Sequence, residues 1–101
     1  MAVLAFKLVS GQEIIAEATA NTATLNSTGA HSYTLSKPHV LQLQQHMGNV
    51  GLVLIPWFLS APDVRGVEVG IEHIVAVISP DSQVEKQYLS QTSGISLDTT
   101  V

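Results

Sequence analysis

The chain has no cysteine, so its candidates for a neutral-pH base or a nitrogen ligand to a metal are His31, His39, His46 and His73. No two of them stand four apart, as a helical metal site needs, or form the His-x-His pair of a strand site. They read as loop or sheet histidines, and neither a bound metal nor another cofactor is expected. His39 shares the parity of Leu41 and Leu43 and is expected to be half buried. A Ser-His-Asp nucleophile can assemble from distant positions, but the Gly-x-Ser-x-Gly elbow that presents one is absent. Gly66-Val67-Glu68-Val69-Gly70 has the glycines of a phosphate loop without its Lys or a following helix. Glu13 and Glu17 share a strand face about 13 Å apart, too far to act as a carboxylate pair on one bond. These residues give no catalytic constellation, and the expectation is a protein that is not an enzyme.

The elements that carry these residues must be strands. Hydrophobic residues make up 46% of the 101 residues but aromatics only 5%, so the core is built from Val, Ile, Leu and Ala. Residues 3–9 alternate, with Leu4, Phe6 and Leu8 on one face and Lys7 on the other. After Ser10-Gly11-Gln12, residues 13–20 place Ile14, Ala16 and Ala18 inward and Glu13, Ile15 and Glu17 outward. Alanines on an inward face permit a sharp bend or a close backbone approach. Residues 21–32 are small and polar, a long connection. Residues 33–45 resume the alternation, which Lys37-Pro38 interrupts and which therefore requires a bulge or an edge there.

His46-Met47-Gly48-Asn49 turns the chain into residues 51–59, apolar on both faces. Residues 67–78 change parity near Gly70 to His73, as two strands or one kinked strand would. Ser79-Pro80-Asp81 has the form of a helix start, with Ser79 as the cap. The helix is expected to run to about Ser90, with Val84 and Tyr88 as its apolar stripe, and residues 91–101 to form a flexible tail.

Charge narrows the partners. Charged residues are 12% of the chain, against roughly a quarter in an ordinary soluble domain. Between Glu17 and Asp63 the only formal charge is Lys37. The four cations, Lys7, Lys37, Arg65 and Lys86, are scattered, and net charge is −4. Phosphate neutralisation needs several cations on one face, so DNA is not an expected partner. Residues 1–8 carry Lys7 inside their apolar run and no cleavage pattern, and no apolar run reaches about 18 residues. No membrane partner is expected, and the location expected is the cytoplasm.

Two segments carry a family resemblance. Leu8-Val9-Ser10-Gly11-Gln12-Glu13-Ile14-Ile15-Ala16 resembles the first motif of the Sm-like family, with Ala16 where the family prefers Gly. Val69-Gly70-Ile71-Glu72-His73-Ile74 is similar to the second motif without its Arg-Gly pair, which occurs instead at Arg65-Gly66. Counted back from Pro80, His73 falls where the bacterial Hfq branch has the His of its RNA-contacting segment. Residues 8–15, 51–59 and 80–90 also resemble small phage-encoded Sm-like proteins. The resemblance implies a mostly β fold: a small, strongly bent, antiparallel five-stranded open barrel with a short C-terminal helix, over residues 1–90. It implies a homo-oligomeric ring with an assembly or adaptor role and, as the alternative, an RNA-binding ring using Gly70, Glu72 and His73. The family's N-terminal helix and the Asp and Asn of its RNA loop have no counterpart here.

The doubly apolar residues 51–59 make the strongest physical demand, because an antiparallel strand normally wets one face. Either the barrel or another subunit covers the second face, and Leu52, Leu54, Trp57, Phe58, Val75 and Val77 are the expected oligomer contacts, with an ordinary core role as the alternative for Trp57 and Phe58.

Overall fold

A computed structural model describes residues 2–22 and 29–93, except the side chain of residue 46. The fold is mostly β with one short C-terminal helix. The elements are β1 (Ala2–Leu8), β2 (Glu13–Asn21), β3 (Ser32–His46), β4 (Asn49–Pro56), β5 (Arg65–Gly70), β6 (Ile74–Ile78) and α1 (Ser82–Thr92). A single 3-10 turn, Ile71–His73, joins β5 to β6 and accounts for the parity change there. The connection at residues 23–28 and the tail at residues 94–101 lie outside the described residues.

Among the described residues six strands form where five were expected. The apolar segment leaves the ladder at Pro56, and residues 57–64 loop outward through turns closed by Ala61 N–H to Phe58 O and Val64 N–H to Ala61 O. The chain returns as β5. Both β4, on His39 to His46, and β5, on Ser32 to Ser36, pair with the side of β3 opposite β2. Gly66 sits at φ +77 where the β3–β5 register shifts, a bulge that only glycine enters without strain. The β3–β4 hairpin turns through Met47 and Gly48, both at positive φ, as a two-residue type I′ loop demands.

Connectivity dictates the shape of the sheet. The strands run β5-β3-β2-β1-β6, so β5 and β6 are at opposite ends yet only three residues apart in sequence. In a flat sheet they would stand about 19 Å apart, whereas three 3-10 residues span about 6 Å. The sheet therefore curls until its ends approach, and fully buried Ala16 and Ala18 lie inside the curl. No ladder joins β5 to β6 among the described residues, so the curl is not closed into a barrel.

Each face has its own core. Phe6, Leu8, Ile14, Ala16, Ala18, Leu35 and Val69 fill the inside, with Phe6 meeting the Tyr33 ring edge-on at 5.1 Å. Parity puts Ile15 on the wet face beside Glu13 and Glu17, but its exposure is 0%. The reason is α1, which lies over that face and forms a second cluster of Ile15, Leu54 and Tyr88 with Val3, Leu41 and Val84. The helix starts later and ends later than expected. Asp81, not Ser79, is the cap, accepting the Gln83 N–H at 3.1 Å. A carboxylate there meets both the free N–H groups and the positive end of the helix dipole.

Tyr88 fastens helix to sheet at the interruption foreseen at Lys37-Pro38. That interruption is a bulge: Lys37 has φ +51, and the β2–β3 register shifts between Ile15 and Glu17. The Tyr88 hydroxyl accepts the Glu17 N–H at 3.2 Å and shares its hydrogen between the carbonyls of Lys37 (2.9 Å) and Ser36 (3.1 Å). His39, expected to be half buried, is buried at 4% exposure; it packs edge-on against the Tyr88 ring and holds the Lys37 carbonyl through Nδ1 at 2.9 Å. Lys37 Nζ donates to Thr92 O at 3.2 Å, placing a cation at the negative end of the helix.

Burial pushes the Tyr88 phenol up from 10.0 to about 12. The neutral form is favoured in the folded chain, so this contribution is intact below pH 10 and is lost as pH rises toward 12. Denaturant titrations should show stability falling by roughly 2–3 kcal/mol across that window. Tyr88→Phe should cost about 1–3 kcal/mol at pH 7, because the bulge amide and carbonyls lose their partner, and should flatten the alkaline decline.

Candidate functional site

Where the curled sheet fails to close, it leaves a cleft of about 500 Å³. One wall is the edge of β5, Val67 to Gly70, and another is the β1–β2 turn from Leu8 to Gln12. That turn is rigid: Gly11 N–H donates to Leu8 O and Leu8 N–H to Gln12 O, both at 2.9 Å. The loop after β4 supplies Trp57 and Phe58, whose rings meet edge-on at 5.2 Å. Trp57 is held by its N–H on Pro38 O at 2.9 Å, so the β3 bulge that receives Tyr88 also positions this wall.

Gly70 and His73 line the same cleft, so two groups of residues that the sequence assigned to different tasks come together. The His73 backbone is fixed, its carbonyl accepting the Val9 N–H at 2.9 Å, while its imidazole stays exposed. Glu72 reaches His73 Nε2 at 3.7 Å with both side chains largely in solvent, a contact worth less than about 1 kcal/mol. The nearest atoms that a Cβ on Gly70 would meet are the carboxyl end of the flexible Glu72 side chain.

The other expected contacts separate. Leu54 is buried beneath α1 and Leu52 is half-buried beside it. Val77 packs on the inner core. Leu54 and Val77 are thus used within the subunit, and of the β6 pair only Val75 is open, at 65% exposure. The helix accounts for Leu54, because α1 of the same subunit covers the face of β4 that the barrel or another subunit was expected to cover.

Glu68 is a polar member of the cleft wall that sequence reasoning missed. Its carboxylate accepts from the Ser32 hydroxyl at 2.7 Å, and the Asn21 amide donates to Ser32 Oγ (3.1 Å) and Thr34 Oγ1 (2.8 Å). The β2–β3 and β3–β5 registers join these residues, and no local spacing announces it. Among the described residues no group of three or more His, Cys, Asp or Glu could hold a metal ion. His31 is exposed, and the His46 side chain lies outside the described residues. Among the described residues no helix is long and apolar enough to cross a membrane.

The cleft thus offers apolar walls, an aromatic pair and a strand edge with no ladder among the described residues, with one exposed imidazole at its rim. No protein-family model matches the chain, and comparison with curated proteins finds no match. Function must therefore be read from the geometry.

The energetic roles of the cleft residues are separable by denaturation. His73→Ala should change stability by less than about 0.5 kcal/mol, since its side chain is exposed. Trp57→Ala, which removes a ring packed on the inner core, should cost at least about 2 kcal/mol.

Proposed function

We propose that this chain is the non-catalytic subunit of a closed homo-oligomer, an Sm-like ring with an assembly or adaptor role, joined edge to edge through β5 and β6. The observation that carries this reading is β6. Its sequence, Ile-Val-Ala-Val-Ile, bears no charge, one of its edges pairs with β1, and its other edge has no ladder among the described residues. Val75 and Ile78 are exposed on it. An apolar, charge-free edge of this kind is an aggregation hazard unless a partner strand covers it.

Two different free edges in one subunit favour head-to-tail contact, which closes into a ring when the rotation allows. Further apolar surface supports a neighbour: Leu43, Met47 and Val50 are exposed where the β3–β4 hairpin extends past the end of β2. Light scattering should give one defined mass several times 10.7 kDa. Val75→Lys, at an exposed site, should return it to the single-chain mass with the fold intact. A wild-type chain that is a monomer at every concentration refutes the proposal.

RNA binding is the second reading, favoured by the aromatic pair beside His73, on which a base could stack. The nearby acids Glu68 and Glu72 and the net charge of −4 oppose a polyanion. Anisotropy titrations with labelled oligo-U and oligo-A at low salt decide it. The expected outcome is no saturable binding at tens of micromolar protein, and a saturable isotherm would establish this reading.

A further inference from the structure

The sheet has a third edge, on β4, and the helix occupies it. Counting from the two-residue turn, the closing pair His46–Asn49 is hydrogen bonded and every second pair after it is too. Leu52 and Leu54 fall on the pairs between, so their N–H and C=O groups point away from β3. Gln87 Nε2 donates to Leu52 O at 2.9 Å and Gln91 Nε2 to Leu54 O at 2.8 Å. The match is one of pitch. Four helical residues rise about 6 Å, and two strand residues advance about 6.8 Å. Val84 and Tyr88, packed with Leu41, Leu54 and Ile15, hold α1 in this alignment.

The arrangement places α1 where a further strand would dock, with its glutamine amides on the acceptors that such a strand would use. From this we infer that Gln87 and Gln91 determine which edge of the domain a second copy can pair with: they seal β4 and leave β5 and β6 open. The statement about β5 and β6 rests on the assembly proposed above; the sealing of β4 does not. The excluded partner is a β-strand, and specifically the β4 of another copy, since an edge paired with its own symmetry mate needs no second surface.

The test is the double variant Gln87→Ala/Gln91→Ala. Both glutamines are exposed and alanine favours the helix, so α1 keeps its packing face. The chain contains no cysteine, so Gly51→Cys supplies a single reporter thiol on β4, at a position where a Cβ meets nothing within 4 Å. At equal concentration the double variant should show a mass at least about twofold above its parent, set by β4–β4 pairing. A short bismaleimide should join the reporter thiols of two copies only in the double-variant background. An unchanged mass, or growth without that cross-link, overturns the inference. A monomeric wild type would refute the ring yet leave this test intact, because unsealing would then convert monomer to dimer.

Discussion

The Tyr88 hydroxyl is the point through which the rest of the structure is connected. A strand as long as β3 cannot pass Lys37-Pro38 without losing ladder hydrogen bonds, and the shift that absorbs the interruption leaves polar backbone groups inside the protein. One phenol on the helix satisfies the Glu17 amide and serves the carbonyls of Ser36 and Lys37. A ring that fills this space while meeting three backbone groups fixes the helix to the sheet in position and in rotation.

Everything on the two ends of the molecule follows from that fixed helix and that bent strand. The bulge sends the Pro38 carbonyl to Trp57, which lets the chain leave β4 and re-enter as β5 beside the same strand. Re-entry there, with three residues to β6, is what curls the sheet and leaves the cleft. On the opposite face, the rotation set by Tyr88 brings Gln87 and Gln91 to the edge of β4. The same side chain thus governs an open seam on one side and a covered edge on the other.

Much of this was legible locally. The alternation of Leu4, Phe6 and Leu8 and of Ile14, Ala16 and Ala18 marks two half-strands of one inner core, and the structure buries them together. Lys37-Pro38 required a bulge or an edge, of which the structure has the bulge, and the parity change between Gly70 and His73 required two strands or one kinked strand, of which it has two strands. The cleft was half legible. His73, Gly70, Trp57 and Phe58 each stood out, but for unrelated reasons, and nothing in their spacing says that they meet. Ile15 gave a misleading signal because parity reports which residues share a face, not whether a distant element covers it.

The sequence by itself determined the β-rich class, the turns, the interruption of the strand at Lys37-Pro38 and the helical stripe of Val84 and Tyr88, because these depend on side chains and backbone within a few residues of one another. Only the tertiary structure decided that six strands form among the described residues, that Asp81 caps the helix, that Ile15 on the outer face of β2 is buried, and that Gln87 and Gln91 meet the edge of β4. Those outcomes turn on how far apart two strand ends finally lie and on which face a helix comes to rest. Such distances are set by all the elements together, and no window of the sequence contains them.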